Sequence, residues 1–224
     1  MSRARELPGG GRAVEVVPER VAGWFDRFAV SHGGVERTVV EPRRIEVRAG
    51  DGGRAVVDVP FGPLPPPHGE QPGLVVQPLV EHLEQPRRIG LVLVRLGAHS
   101  VGIARGGRIE RSTTGRHLVH GRNKAGGWSQ QRFARRREGQ SRRSLEDAAD
   151  AVARVLLPVR DELDAVVLGG DRQALDVLKE DRRLADLLSS AEDRVLDVPE
   201  PRRAVLDEAA KRATGVEIQV HDGV

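Results

Sequence analysis

The sequence predicts an α/β protein in which helices flank a mixed sheet, preceded by a small N-terminal α+β module. Three strand-like stretches follow one another between residues 88 and 114, two of them around a Gly106-Gly107 turn typical of tight hairpins. From residue 144 onward helical and strand-like segments alternate, which is typical of layered α/β domains. A proline-rich stretch at 60–73 interrupts both patterns and favours extended backbone. We therefore expect two domains, 1–85 and 86–224, with this stretch as the linker that ends the first.

The first module begins with a strand at 13–17 and a helix at 18–33. Pro18 suits a first helical turn, and Val21, Trp24 and Phe28 recur at helical spacing. Strands joined by turns are expected over 37–59, where the Gly-Asp-Gly-Gly run at 50–53 marks the clearest turn. Residues 1–85 carry no family motif, so the sequence assigns this module a fold class only.

In the second domain, residues 88–96 form a strongly apolar strand. Ser144 and Asp147 have the spacing of a capping box, which predicts that a helix opens at 144 and ends near Pro158. Further strands are expected at 164–170, 194–199 and 215–220, with helices over 171–188 and 200–213. Between the hairpin and Ser144 lie residues 115–143, which show neither helical nor strand periodicity and predict a long flexible loop.

This segment concentrates the basic charge of the protein. Residues 122–143 hold eight lysines or arginines and one glutamate, a charge of +7 in a chain whose net charge is +3. Such a block is a common electrostatic footprint for nucleic acid. The alternative interpretation is a solvated basic tract without a partner. Trp128 and Phe133 are its only aromatic residues, so the segment cannot build a core of its own.

Composition excludes several other classes. The chain has no cysteine, which rules out disulfides and thiolate zinc sites. Its longest apolar runs are far too short to cross a membrane, and residues 1–12 lack the apolar core of a secretory signal. We expect a cytoplasmic monomer that binds no membrane.

Few motifs for enzyme chemistry are present. His117 and His120 lack the further ligands that a metal site needs, and no serine stands in a nucleophile-elbow motif. The turn after residue 168 lacks the spacing of a phosphate loop and predicts Asp171 as a helix cap. The long loop differs, because Gly126-Gly127 permits close backbone approach to a ligand and Gln130 follows three residues later between flanking arginines.

At these residues a family resemblance appears. Three strands, a long basic loop with glycines and glutamine, and then a helix with further β/α units resemble the catalytic domain of eukaryotic and archaeal class I release factors. Those proteins carry a Gly-Gly-Gln tip, whereas this chain reads Gly-Gly-Trp-Ser-Gln over 126–130. The spacing from Gly127 to Gln130 is closer to the release-factor-like peptidyl-tRNA hydrolases of ribosome quality control, and the chain resembles their compact actinobacterial members most. The resemblance covers about 88–224 and implies a ribonuclease-H-like sheet with a long catalytic loop.

The resemblance implies hydrolysis of the ester between a nascent peptide and tRNA on stalled ribosomes. Gln130 would orient the attacking water, and Gly126 and Gly127 would let the tip enter the peptidyl-transferase centre of the large subunit. The partners implied are the ribosome, its rRNA and peptidyl-tRNA, with no cofactor and no metal. Contacts to RNA would come from Arg122, Lys124, Trp128, Arg132, Arg135, Arg136, Arg137, Arg142 and Arg143.

Two other hypotheses remain open. The first is a non-catalytic RNA- or ribosome-binding module anchored by its basic loop. The second is a nuclease on a ribonuclease-H-like sheet. A nuclease needs clustered carboxylates for magnesium, and the strands over 88–113 offer only Glu110.

Overall fold

The computed structural model describes residues 4–8, 10–116 and 129–223, with side chains of the helix that opens at 129 described from Gly139 onward. The chain divides into two units, one of residues 1–86 with 211–224 and one of residues 87–210. In chain order the strands are β1 (Ala4–Glu6), β2 (Arg12–Val16), β3 (Val35–Glu41), β4 (Arg44–Ala49), β5 (Arg54–Asp58), β6 (Gly69–Pro72), β7 (Arg88–Arg95), β8 (Ala98–Arg105), β9 (Arg108–Arg116), β10 (Ala165–Gly170), β11 (Ala191–Leu196) and β12 (Val216–His221). The helices are α1 (Val21–Ser31), α2 (Gln77–Glu84), α3 (Ser129–Leu156), α4 (Arg172–Lys179), α5 (Ala185–Ser189) and α6 (Arg203–Ala213).

The first unit is a seven-stranded antiparallel sheet in the order β1-β2-β12-β5-β4-β3-β6. Alternate residues of its strands, such as Ile45 and Val47 of β4, are buried in one core with Phe25 of α1 and Leu79 of α2. The predicted strand at 13–17 and helix at 18–33 are confirmed, the latter as a short 3-10 turn at Pro18–Arg20 that runs into α1.

Two assignments made from the sequence are wrong in this unit. The proline-rich stretch at 60–73 is part of the module rather than a linker, because Leu64 lies in the core with 2% of its surface exposed and its N–H donates to Pro42 O at 2.7 Å. Residues 69–72 of the same stretch form β6, which pairs with β3. Prolines break periodicity, but they fit turns and edge strands that still bury an apolar neighbour.

The second wrong assignment concerns the last strand, which the sequence placed in the domain 86–224. β12 instead lies between β2 and β5, with Ile218 opposite Val14 on one side and Val57 on the other. The alternation of buried Val216, Ile218 and Val220 predicts a half-buried strand correctly. Alternation does not specify which sheet the strand joins, because every strand with one buried face has the same pattern.

The second unit is a mixed sheet in the order β11-β10-β7-β8-β9. β7, β8 and β9 form the predicted antiparallel meander, and β10 and β11 continue the sheet in parallel to β7. Helices α3 and α4 bury their apolar sides against this sheet in a core that includes Val101, Val152 and Leu175. The predicted fold class, a mixed sheet flanked by helices with a small α+β module, is confirmed.

The turns of this sheet depend on glycine at two places. Gly106 and Gly107 both have positive φ, as the predicted hairpin requires. Gly170 has φ +105°, and a Cβ there would stand 2.1 Å from Val94 O. The chain then enters α4, where Asp171 accepts a hydrogen bond from the N–H of Gln173 at 2.9 Å, so the predicted helix cap is confirmed.

The start of α3 differs from the prediction. The sequence placed a capped helix start at Ser144, but α3 begins at Ser129 and runs for 28 residues. Ser144 is buried within the helix rather than capping it. From Ser144 onward the helix has buried apolar residues on one side, whereas the sequence of the preceding turns is polar and basic without an apolar stripe. Amphipathic periodicity therefore becomes visible at 144, although the helix begins at 129.

Candidate RNA-binding and catalytic segment

The segment that carries the predicted site joins β9 to α3. On one side it begins after Gly115 and Arg116, the last residues of the strand. The buried ring of His99 lies over Gly115, where a Cβ would come within 2.3 Å of a ring atom. One pair further along, the hydroxyls of Ser100 and Thr114 lie 2.8 Å apart in a hydrogen bond between β8 and β9. The strand end that precedes the segment is therefore fixed by close packing.

On the other side, the segment enters α3. From Ser144 onward the helix buries one side, on which Ala148, Val152 and Val155 lie in the core. Gln130 stands 14 residues before Ser144, a helix length of about 21 Å at 1.5 Å per residue. The helix thus holds the backbone of Gln130, in the first turn of α3, at a set distance along the helix axis from Ser144.

Only some of the predicted site residues belong to the part of the chain that the structure describes. Gly126, Gly127 and Trp128, together with Arg122 and Lys124, lie outside them, as do His117 and His120. The backbone of Gln130, Arg132, Arg135, Arg136 and Arg137 belongs to α3, although the sequence placed these residues in a loop. Arg142 and Arg143 are exposed on the same helix.

Helix geometry separates these positions into two groups. At 100° per residue, positions 132, 135, 136, 142 and 143 fall within an arc of about 120° of the helix circumference. The buried side of the helix, marked by Ser144, Ala148 and Val152, lies opposite this arc. Gln130 falls in line with that buried side, as does Arg137, whereas Gln131 is turned by about 100° from Gln130. The arginine arc and Gln130 therefore occupy opposite sides of α3.

The first turn of α3 has an electrostatic property of its own. The first four N–H groups of a helix have no acceptor within the helix, and the helix dipole places partial positive charge there. Gln130 is the second residue of α3, so its backbone lies among these donors. A glutamine at this place can act beside backbone N–H groups that favour negative charge.

The described arginines of the helix differ in their partners. Arg142 donates to Glu146 at 2.8 Å, an exposed pair one turn apart. Such surface pairs contribute less than about 1 kcal/mol. Within the described residues, Arg143 has no carboxylate at ion-pair distance. Both guanidinium groups are thus accessible to an external anion.

Sequence reasoning missed a cleft of about 770 Å³ between α3 and α4. Its lining combines the apolar side chains of Leu145, Ala149, Val177 and Leu178 with charged side chains. One of these, Arg183, pairs with Asp181 and Asp150, and its hydrogen bonds hold the pKa of Asp181 below the usual range. The cleft depends on the packing of two helices, for which no motif in the sequence gives a signal.

The described residues do not meet the requirements of a metal site or of a membrane-spanning helix. Among residues 4–116 and 139–223, no group of three or more histidine and acidic side chains stands close enough to hold a metal ion. No helix in the described part of the chain has the length and apolar character needed to cross a membrane.

The chain is similar in sequence to known proteins. Residues 87–219 match the family described as Actinobacteria/chloroflexi VLRF1 release factor, acVLRF1. Peptide chain release factor subunit 1 of Thermococcus sibiricus is 28% identical over 152 residues, which cover 67% of this chain and 36% of that protein. The same factor of Thermococcus onnurineus is 33% identical over 98 residues, covering 43% of this chain and 24% of that protein.

Solved structures similar to this chain have lower sequence identity to it than these two relatives. The archaeal translation termination factor aRF1 has 16% identity and a TM-score of 0.45, with 75% of this chain and 48% of that chain covered. S. cerevisiae Dom34, a translation termination-like factor involved in RNA quality control pathways, has 10% identity and a TM-score of 0.36, with 94% and 66% covered. The chain spans about a third of the length of the first curated relative it matches. The family match extends over more than half of the chain and includes the whole sheet that carries the glycine–glutamine segment, so the resemblance seen in the sequence is confirmed and the chain belongs to the Actinobacteria/chloroflexi VLRF1 release factor family.

Proposed function

We propose that the protein hydrolyses the ester that joins a nascent peptide to tRNA and so releases peptides from stalled ribosomes. The observation that carries this proposal is the position of Gln130, which follows Gly126-Gly127 and lies in the first turn of α3. The arginines that follow it on the helix support RNA as the partner, and membership of a release factor family supports a role in translation.

The chemistry assigned to Gln130 is the positioning of water. An amide side chain is neutral and cannot accept a proton as a general base near pH 7, but it accepts and donates hydrogen bonds. Holding a water in line with the ester carbonyl converts a random encounter into an oriented attack. Backbone N–H groups in the first turn of α3 are suited to stabilise the negative charge that develops on the carbonyl oxygen.

Gly126 and Gly127 have a steric role in this proposal. Without a Cβ, their backbone approaches RNA walls more closely than any other residue would allow. Trp128, next to them, has an aromatic face on which an unpaired base stacks. These three residues would bring Gln130 to the peptidyl-transferase centre of the large subunit, where the ester of peptidyl-tRNA is held.

The arginines supply affinity rather than chemistry. Guanidinium groups bind phosphate oxygens in a bidentate manner, and each neutralised phosphate releases counterions, so binding depends on salt. The arc of positions 132, 135, 136, 142 and 143 would face rRNA on the side of α3 opposite Gln130. Arg122 and Lys124, which precede the glycines, and Arg137, which lies on the same side of α3 as Gln130, would add contacts to rRNA. The proposed enzyme acts in the cytoplasm as a monomer and uses no cofactor.

The test is incubation of the purified protein with stalled ribosomes that carry a labelled nascent chain. The proposal predicts free peptide together with intact deacylated tRNA. Binding to the ribosome without release would instead support the non-catalytic anchoring module, and cut RNA would support the nuclease. Either of these outcomes contradicts the proposed reaction.

A further inference from the structure

The outer strand of the five-stranded sheet carries basic residues that the proposed reaction does not use. β9 is the last strand in the order β11-β10-β7-β8-β9, so β8 is its sole neighbour among the described strands. An edge strand presents unpaired backbone groups along its free side. The exposed residues of β9 include Arg108, Arg111 and Arg116.

Two arginines lie on the side of β9 that faces α3. Arg111 is paired with Ile103, whose side chain lies in the core beneath α3. Thr113, two residues further, faces the same way and lies about 7 Å from Arg111 along the strand. The Nη2 of Arg154, on α3, lies 3.5 Å from the Thr113 hydroxyl. Arg111 and Arg154 therefore lie on the same side of the sheet, one on the strand and one on the helix, and Arg154 contacts the residue two positions from Arg111.

Neither guanidinium is neutralised by a carboxylate in the described part of the chain. Across residues 4–116 and 139–223, no carboxylate lies at ion-pair distance from Arg111 or Arg154. Other arginines of the unit are paired, as Arg88 and Arg105 are with Glu110. Two like charges without a counter-charge repel each other, and an external anion between them would remove that repulsion.

Positive charge also lies on the opposite side of the strand. The Nη1 of Arg203 donates to the hydroxyl of Ser112 at 3.1 Å, although this arginine is also paired with a carboxylate one turn later in α6. Arg116 and Arg202 share the single carboxylate of Glu200, at 3.0 Å and 3.3 Å. Arginines therefore flank the edge strand on both sides, with fewer carboxylates than guanidinium groups.

We propose that the β9 edge, with Arg111 and Arg154 at its centre, is a second binding surface for the phosphate backbone of RNA. It is separate from the arginines at 132–143 because it is built on the sheet and on the last turns of α3. Unpaired guanidinium groups beside polar hydroxyls are the combination that binds phosphate oxygens without reading base sequence. The choice of RNA as the source of the phosphates rests on the proposed function.

The competing explanation is that the charges only keep the edge strand from pairing with another sheet. The two explanations differ in salt dependence. Charges that contact phosphates release counterions, whereas charges that remain solvated do not. Removing the first kind lowers the salt slope of RNA binding, and removing the second kind leaves that slope unchanged.

The experiment measures the affinity of the full chain for purified large ribosomal subunits over a series of salt concentrations. The double variant R111Q/R154Q should lower the slope of log affinity against log salt by about 1.4 to 1.8, since each phosphate contributes about 0.7 to 0.9. The matched control is R172Q/R182Q, which removes two exposed arginines of the same unit that also have no carboxylate at ion-pair distance among the described residues. This control should keep the wild-type slope.

Two further measurements separate charge from folding and from chemistry. R111K/R154K keeps the charges and should retain most of the slope, and all variants should unfold at the urea concentration of the wild type because both side chains are exposed. Peptide release at saturating protein should be unchanged in R111Q/R154Q. Equal slopes for R111Q/R154Q and the wild type, or equal losses in both Gln variants, would overturn the proposal. Wild-type binding without peptide release would contradict the proposed reaction alone, and no binding at all would contradict both.

Discussion

A proline at Gly139 tests whether the continuous helix α3 matters for function. Gly139 lies between the first turn of α3 and the part that packs on the sheet, and it is exposed. In the described part of the chain, a Cβ added at this position would meet no atom within 4 Å beyond the helix itself. Gly139→Pro should therefore disturb the helix backbone and leave the core of the unit intact.

The magnitude follows from helix physics. Proline removes one hydrogen bond and clashes with the preceding turn, which costs about 3 kcal/mol in a helix interior. Residues 129–138 would then form a separate helix of about ten residues, shorter than the roughly 12 to 15 that a marginal isolated helix needs. We expect the helix content measured by circular dichroism to fall by the equivalent of about ten residues, while the urea midpoint of the domain stays at the wild-type value.

The functional assay is single-turnover peptide release at saturating protein. Once the helix is broken, Gln130 is no longer held about 21 Å along a rigid axis from Ser144. Misplacement of a positioning group by about 1 Å can cost a factor of about 100 in rate, so G139P should release peptide about 100-fold more slowly. The matched control is Gly139→Ala, which favours the helix by about 1 kcal/mol and should release peptide at least as fast as the wild type. A G139P protein with wild-type helicity and wild-type release would refute the reasoning.

Three further predictions concern stability and binding. Gly170→Ala should lower the free energy of unfolding by about 1 to 3 kcal/mol in urea titrations, because φ is +105° and the new Cβ would meet Val94 O at 2.1 Å; wild-type stability would contradict this. Hydrogen bonding by Arg88 holds the pKa of Glu110 below its usual range. A carboxylate whose pKa is lowered by folding stabilises the protein at pH values above its unfolded-state pKa, and this stabilisation is lost as the pH falls through its folded-state pKa. Glu110→Gln should therefore flatten the acid side of a stability–pH curve below about pH 4.5, and parallel curves for variant and wild type would oppose the assignment. Changing all three arginines at 135–137 to alanine should lower the salt slope of ribosome binding by about two, and an unchanged slope would show a solvated basic run.

The sequence predicted the second unit well where turns and apolar runs determine the structure. The apolar strand at 88–96 and the Gly106-Gly107 hairpin are local features, because the tight turn itself requires positive φ. Asp171 was predicted as a cap from its place after a strand, and the structure confirms it. In each case the determining interaction lies within a few residues along the chain.

Predictions failed where the structure depends on contacts between residues distant in sequence. They also failed where a helix carries no apolar stripe that could reveal it. The pairing of Ile218 with Val14 joins two ends of the chain, and strand alternation does not encode that choice of partner. Residues 129–143 of α3 carry no apolar stripe in the sequence, so amphipathic periodicity could not reveal this part of the helix. The position of Gln130 in a helix rather than a loop was missed for the same reason.

The β9 surface was missed for a related reason. Arg111 and Arg154 are 43 positions apart in the sequence, and their place on one side of the sheet arises from the packing of α3 on it. The basic run at 122–143 is visible in the sequence because its charges lie close together along the chain. Charges brought together by folding give no such signal.

The central claim, that Gln130 positions the water that releases the peptide, is tested by three single variants in one assay. Gln130→Ala should bind stalled ribosomes nearly as well as the wild type, because one neutral side chain contributes little to a polyelectrolyte interface. Its single-turnover release of peptide should be slower by about 10²- to 10³-fold, the cost of losing one preorganised polar group. Gln131→Ala and Gln140→Ala should be far less affected. Wild-type release by Gln130→Ala, with Gln131→Ala or Gln140→Ala inactive, would contradict the assignment of Gln130, and activity in all three would contradict the hydrolase itself.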